Sequence, residues 1–190
     1  MRCFIAVPLP APARDALAGL AARVRVRLPD ARIVRPDQMH LTLHFFEDLD
    51  DAGVAATVEA LHAGVGDAPA FALAPGAPGV FPGPRGARVV WIGLARGADR
   101  LGGLHDRIGD ALRARGLPVD ARPFAPHLTL ARLPRPVPLD PDALGIPPDA
   151  VPAIPVDRVV LFRSVLGPGG ALHTALATAV LAGAPEDANA

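Results

Sequence analysis

The four residues His-Leu-Thr-Leu occur twice in the chain, at 40–43 and at 127–130. At this composition one chance copy is expected roughly 0.002 times per chain, so coincidence is a poor explanation of the repeat. In each copy the His and the Thr stand two residues apart. On a β-strand this spacing puts both polar side chains on one face and the two Leu side chains on the other. The repeat therefore predicts two similar strands, each with a His-Thr face and an apolar face.

The first copy lies in a longer alternating segment at 39–45, with Leu41, Leu43 and Phe45 in antiphase to three polar residues. This period of two is typical of a half-buried strand, and it predicts that His44 lies at the edge of the same polar face. His40 and His44 would suit one zinc ion on a helix. On a strand they lie roughly 13 Å apart, too far for Zn–N bonds of about 2.1 Å. A metal site built from His40, His127 and a carboxylate stays as a minor alternative.

The two halves of the chain match without a gap at an offset of 87 residues, which places Ile5 on Ile92 and Leu17 on Leu104 as well as the first motif on the second. The repeat spans about 2–46 and 89–133, and each half reads strand, helix, motif strand. We therefore predict an α+β fold with two pseudo-symmetric lobes, each an antiparallel sheet with packed helices, forming a central groove. A pseudo-twofold axis would bring the two motif histidines face to face.

Apolar periodicity and Pro or Gly breaks predict the remaining elements. The predicted helices are 11–28, 51–65 and 98–115, and the predicted strands are 2–7, 39–45, 71–74, 88–94, 127–133, 156–166 and 171–177. Two Pro-rich segments are predicted to be loops, 75–87 and 134–155. We expect a single domain over 1–183 and a frayed tail over 184–190.

Length and charge predict one ordinary domain, because the chain has 190 residues with 19 basic and 19 acidic side chains. This balance disfavours a disordered chain and a protein that binds nucleic acid through overall positive charge. Any anion site must therefore be local. Cys3 is the sole cysteine, which excludes an intrachain disulfide. Pro8 interrupts the apolar N-terminal run, and no segment approaches the roughly 20 apolar residues of a membrane span. We expect a soluble, cytoplasmic monomer.

Missing residue types narrow the chemistry further. All 19 basic residues are Arg, Tyr is absent, and Ser164 is the one serine. Without Lys there is no Walker A loop, no Schiff base and no lysyl-adenylate ligase, and Ser164 lacks a Gly-x-Ser-x-Gly context. His, Asp, Glu, Arg and Thr are left for catalysis.

Two facing His-x-Thr strands have the groups needed for displacement at phosphorus. Histidine titrates near neutral pH, so one imidazole can accept a proton while the other donates one. The two Thr hydroxyls can donate hydrogen bonds to the non-bridging oxygens, where negative charge develops. This chemistry requires neither a metal nor another cofactor.

The motifs as a set resemble those of the 2H phosphoesterases, and within them the RNA 2',3'-cyclic phosphodiesterases, also called 2'-5' RNA ligases. The matching segments are RCFIAV at 2–7, RVVWIG at 88–93, RPFAPHLTLAR at 122–132 and LFRS at 161–164, together with the first HLTL. The resemblance implies metal-free hydrolysis of a 2',3'-cyclic phosphate to a 2'-phosphate, on RNA ends or nucleotides, and a reversible ATP-independent 2'-5' ligation. By position it implies His40 and His127 as catalytic residues and Thr42, Thr129 and Arg132 as substrate-binding residues.

The chain departs from the family pattern at two places. The first motif continues into Phe46-Glu47 instead of Leu-Gly, and His173 stands where Tyr is common. Arg132 presents a separate difficulty, because five residues after His127 it should point away from the groove on a regular strand. Either a bulge re-aims it or it reaches around the rim.

In the hydrolytic direction we expect His127 to be the base and His40 the acid. Phe4 and Phe124 are candidates to stack on a base, whereas His62 and His105 are expected to be structural residues on helices. The alternatives are a non-catalytic nucleotide-binding or RNA-binding module, and a 2H phosphodiesterase for another small cyclic phosphate such as an ADP-ribose derivative.

Overall fold

Two antiparallel sheets and three helices make up the α+β fold in the computed structural model, which describes residues 1–167 and 170–184. The helices are α1 (Ala11–Arg27), α2 (Asp51–Val65) and α3 (Ala98–Arg113). The strands are β1 (Cys3–Pro8), β2 (Arg32–Ile33), β3 (His40–Phe46), β4 (Phe71–Phe81), β5 (Ala87–Arg96), β6 (Leu128–Val137), β7 (Ile154–Val156), β8 (Arg158–Gly167) and β9 (Gly170–Val180). Sheet 1 has the strand order β3-β1-β8-β9, and sheet 2 has the order β2-β6-β5-β4-β7.

The predicted repeat is present as β1-α1-β3 and β5-α3-β6. In each sheet the motif strand pairs antiparallel with the first strand of its own half. The gapless superposition fails in one respect, because Ile5 lies opposite His44 whereas Val90 lies opposite Ala131. The counterpart of Ile5 is therefore Val90 and not Ile92. A slip of two residues preserves the side-chain faces, since side chains alternate with a period of two.

The helices cover the sheets in an exchanged arrangement. The helix α1 buries Ala13, Leu17, Leu20, Ala21 and Val24 and packs against β6 of sheet 2, although its own half ends in β3 of sheet 1. The helices α2 and α3 pack against each other and against strands of sheet 1, and α3 also contacts β5 of sheet 2. Apolar side chains of both sheets belong to one buried cluster. The predicted two sheets with packed helices are confirmed, and α1 and α3 each contact the motif strand of the other half.

A glycine sets the distance between α2 and α3. A Cβ atom at Gly64 would lie 2.5 Å from the Cα of Ile108, closer than any side chain tolerates. The absence of a side chain at Gly64 lets the two helix backbones approach where Leu104, Ile108 and Leu112 are buried.

The predicted loop at 75–87 is wrong over its first half, because β4 runs without a break from Phe71 to Phe81. Its pairing with β5 is irregular between Pro75 and Pro78, as expected for residues that lack an N–H donor. A Cβ at Gly79 would come within 2.2 Å of the Trp91 ring, so this glycine makes room for the indole. Tertiary pairing here overrides the local Pro and Gly signals.

The predicted loop at 134–155 is also shorter than expected. The strand β6 continues to Val137, and β7 begins at Ile154, inside the predicted loop. A short 3-10 turn (Pro141–Leu144) lies between the two strands. Leu144, Ile146 and Val151 are buried and anchor this segment to the core. Residues 168–169 of the predicted last turn and 185–190 of the predicted frayed tail lie outside the described residues, and the extent of the domain stays a prediction.

Candidate active site

A cavity of about 270 Å³ opens where β3 of sheet 1 approaches β6 of sheet 2. Its lining includes all five residues that the sequence singled out as a site: His40, Thr42, His127, Thr129 and Arg132. The Leu residues of both motifs point the other way and are buried. The predicted division into a polar face and an apolar face is confirmed for the eight residues of the two motifs, 40–43 and 127–130.

A β-bulge interrupts β3 immediately after this polar pair. The partner of Ile5 is His44 and the partner of Ala6 is Thr42, so Leu43 is an extra residue without a partner on β1. Leu43 and His44 are consequently both buried, and Phe45 turns back to line the cavity. The prediction that His44 lies at the groove edge is wrong, because a bulge reverses the side-chain alternation that follows it.

The same bulge occurs in β6 at the position 87 residues later. Val90 pairs with Ala131 and Trp91 with Thr129, which leaves Leu130 as the extra residue. Leu130 and Ala131 are both buried, and Arg132 lines the cavity. Of the two explanations offered for Arg132, the bulge is therefore the one that applies.

A backbone carbonyl two residues earlier in the chain holds the ring of His127. The Nδ1 atom of His127 lies 2.7 Å from the carbonyl oxygen of Ala125. At the equivalent position before His40, the backbone of Gln38 acts against burial and raises the pKa of His40. Because a carbonyl only accepts, Nδ1 of His127 carries the hydrogen and donates it. In the neutral ring the lone pair is then on Nε2, which is the atom able to accept a proton.

The surroundings of His40 keep it neutral. Its ring stacks on Phe4 at 4.4 Å between centroids and meets the edge of His173 at 5.3 Å. Burial, and after it the nearby His173, lower the pKa of His40 to about 4. Burial also lowers the pKa of His173. At neutral pH the ligand-free site therefore contains an uncharged His40.

The ring of His127 has different aromatic neighbours. Phe81 presents itself edge-on to His127 with 5.0 Å between ring centroids, and the Trp91 ring lies 6.2 Å away. The indole Nε1 of Trp91 is buried, with no hydrogen-bond partner among the residues described. The two histidines thus differ in the aromatic rings around them.

The family model described as "2'-5' RNA ligase superfamily" matches residues 11–168 of this chain. The chain belongs to the 2'-5' RNA ligase superfamily. The resemblance to 2H phosphoesterases that the motifs indicated is confirmed.

Named members of the family match most of the chain. An RNA 2',3'-cyclic phosphodiesterase of Thermus thermophilus is 34% identical over 93% of this chain and 88% of its own length. A protein of the same name from Geobacillus stearothermophilus is 32% identical over 96% of this chain, and the chain spans 58% of its length. The structure of E. coli LigT complexed with 3'-AMP superimposes with a TM-score of 0.77 at 26% identity, covering 95% of this chain and 97% of LigT.

Sequence reasoning missed several residues of this superfamily member's cavity. Gln38 lines it, and its Nε2 donates to the carbonyl of Ala171 at 2.6 Å, which ties the turn before β3 to β9. Ser164 also lines it, opposite His173 in the β8–β9 pair, a histidine that the sequence had already singled out and that lines the cavity as well. Arg2 also lines it, with its guanidinium 4.9 Å from the ring centre of Phe45. The sequence offers one indication that Gln38 belongs to the cavity, namely its position two residues before a motif histidine.

Three other aromatic rings form a separate stack away from the cavity lining. His44 stacks on His105 at 4.4 Å, and His105 stacks on Phe124 at 4.1 Å. The Nε2 of His44 donates to the carbonyl of His105 at 3.0 Å, which fixes the buried ring. His62 is exposed on α2. Of the two candidates for base stacking, Phe4 lines the cavity, whereas Phe124 belongs to this stack.

A metal-binding cluster and a membrane-spanning helix are both absent from the part of the chain that the structure describes. No group of three or more His, Cys, Asp or Glu side chains is placed to hold a metal ion. Across residues 1–167 and 170–184, no helix has the length and apolar character needed to cross a membrane.

Proposed function

We propose that this protein hydrolyses the 2',3'-cyclic phosphate of RNA ends or nucleotides to a 2'-phosphate by histidine acid–base catalysis, without a metal ion. The observation that supports the proposal most is the convergence of two His-x-Thr pairs, one from each sheet, on a single cavity that also receives Arg132. The names of the relatives agree with it, since several are RNA 2',3'-cyclic phosphodiesterases.

The proposed reaction is an in-line displacement at phosphorus. His127 accepts a proton from water through Nε2 as the water oxygen bonds to phosphorus, and His40 donates a proton to the 3' oxygen as the P–O3' bond breaks. The phosphate stays on the 2' oxygen. The hydroxyls of Thr42 and Thr129 donate hydrogen bonds to the non-bridging oxygens, and the Arg132 guanidinium offsets the negative charge that develops there.

The acid role of His40 depends on the substrate, because the pKa of His40 is about 4 in the ligand-free site. A phosphate anion beside the imidazole favours the charged form of the ring. Binding of the cyclic phosphate therefore raises the pKa of His40. The histidine becomes an acid when its substrate is in place.

Ligation uses the same groups with a different nucleophile. A ribose 5'-hydroxyl takes the place of water, its oxygen bonds to phosphorus as His127 accepts its proton, and the P–O3' bond breaks as His40 protonates the 3' oxygen. A 2'-5' linkage results, and no ATP is needed because the strained cyclic ester is itself consumed. We extend the proposal to this ligation. We also propose that the protein acts as a monomer in the cytoplasm, since both catalytic histidines come from one chain and the single cysteine, Cys3, is buried and free.

The decisive experiment is incubation with 2',3'-cyclic AMP and chromatographic identification of the product. We expect 2'-AMP, formed at the same rate after incubation with EDTA. Formation of 3'-AMP would reverse the proposed orientation, and loss of activity with the chelator would favour a metal site. Tight nucleotide binding with no product after long incubation would instead support a non-catalytic binding module.

A further inference from the structure

Two arginines lie directly opposite each other in the β2–β6 pair, and one of them, Arg132, lines the cavity. Arg32 on β2 pairs with Arg132 on β6, and residues opposite each other in an antiparallel pair project from the same face with Cβ atoms about 5 Å apart. Val34, two residues after Arg32, continues this ladder through its N–H, which donates to the Leu130 carbonyl at 2.9 Å. Val34 lines the cavity, so Arg32 emerges on the cavity side as well.

This pair of positive charges has no acidic partner in the described part of the chain. No Asp or Glu oxygen there lies within 4.0 Å of either guanidinium, whereas Arg35 and Arg122 each make an ion pair with a carboxylate. Like charges directly opposite each other destabilise a strand pair. A bound anion removes this repulsion, and guanidinium groups match the geometry of phosphate oxygens.

We propose that Arg32 forms a second phosphate subsite, which binds the internucleotide phosphate adjacent to the cyclic end of an RNA strand. The inference rests on the proposed function, because it places the reacting phosphate beside the motif residues and Arg132. Arg32 lies one strand further out, about 4.8 Å away across the sheet. A mononucleotide has no phosphate at this position, so the subsite makes an RNA end a better substrate than a cyclic mononucleotide.

The overall charge of the protein limits this recognition to the local pair. With 19 basic and 19 acidic residues, the chain offers little general attraction for a polyanion. One phosphate contact lowers the logarithm of the binding constant by about 0.7 per tenfold increase in salt for a single strand. We therefore expect the binding constant for an RNA end to depend only weakly on salt concentration. Replacing Arg32 should reduce the slope of that dependence by about 0.7.

The test compares three substrates: 2',3'-cyclic AMP, a diadenylate ending in a 2',3'-cyclic phosphate, and the same diadenylate with an uncharged methylphosphonate linkage. In the wild-type protein we expect kcat/KM for the phosphodiester to exceed that for the methylphosphonate by about 10-fold, the usual effect of one charged hydrogen bond. In Arg32→Gln, the ratio of kcat/KM for the phosphodiester dinucleotide to kcat/KM for 2',3'-cyclic AMP should fall by a similar factor. Arg25→Gln, which removes an exposed charge from α1, should keep the wild-type ratio.

Two results would overturn the inference: an unchanged ratio in Arg32→Gln, or equal turnover of the charged and uncharged dinucleotides by the wild-type protein. Failure of the proposed function gives a different result, namely no turnover of any substrate by the wild-type protein. In that case the dissociation constants of the two dinucleotides still decide the question. The subsite predicts weaker binding of the methylphosphonate, and equal binding refutes it.

Discussion

The motif strands β3 and β6 repeat one backbone design and present different side chains to the cavity. Each carries His-x-Thr on the cavity face and a bulge one residue after the Thr. They differ at the residue that the bulge turns into the cavity, which is Phe45 in β3 and Arg132 in β6. The backbone repeat fixes where the groups stand, and the unmatched residues make the two sides of the cavity chemically distinct.

The largest expected effect tests whether the two histidines act as one unit. His40→Ala and His127→Ala should each lower kcat for 2',3'-cyclic AMP by 100-fold or more, since each variant removes a proton transfer. The double variant should be little worse than either single one, because residues that act together in one step are not additive. Steady-state and single-turnover rates measure this, with His62→Ala on the exposed face of α2 as the control. Near-normal turnover by either single variant would contradict the mechanism.

The second residue of the bulge differs between the strands, since buried His44 corresponds to buried Ala131. Burial lowers the pKa of His44 to about 4, below the value near 6.5 expected in the unfolded chain. The unfolded state therefore binds more protons between these values, and His44 costs stability as the pH falls from 6.5 toward 4, at about 1.4 kcal/mol per pH unit. Above pH 6.5 this cost is absent.

Replacing His44 should make the protein less sensitive to acid. His44→Gln should lose about 2 kcal/mol less of its free energy of unfolding between pH 7 and pH 5 than the wild-type protein does. Urea denaturation at the two pH values measures the difference, whatever the variant's stability at pH 7. His62→Gln should behave as wild type, and an unaltered pH dependence in His44→Gln would show that His44 does not titrate in this way.

The threonines test the symmetry of the site. Thr42→Val and Thr129→Val each remove one hydrogen-bond donor to the transferring phosphate, and each should lower kcat/KM roughly 10-fold with little change in stability. Thr178→Val on the exposed side of β9 is the control. Equal losses would support a twofold arrangement of donors around phosphorus. A loss confined to one threonine would show that a single sheet binds the oxygens.

Much of this site could be predicted from the sequence, because the alternation of polar and apolar residues and the repeat of the motif after 87 residues are both visible there. The bulges are not visible in that way, since one inserted residue looks like ordinary strand. In β6 two adjacent apolar residues, Leu130 and Ala131, indicate the bulge. In β3 the second of the two buried residues is the polar His44, so the same indication is missing. The exchange of helices between sheets and the pairing of Pro-rich β4 depend on contacts between distant segments, which no local pattern records.

The smallest effect should come from Phe45, the counterpart of Arg132 in sheet 1. Its ring supports the Arg2 guanidinium at the cavity, a contact worth about 0.5–1 kcal/mol where solvent has access. Phe45→Ala releases Arg2 and should raise KM for the cyclic phosphate two- to fivefold while kcat stays nearly constant, whereas Phe45→Tyr keeps the ring and should keep KM. If Phe45→Ala instead lowers kcat as strongly as Arg132→Ala does, the two bulges have equivalent roles and the division of chemistry between the strands is wrong.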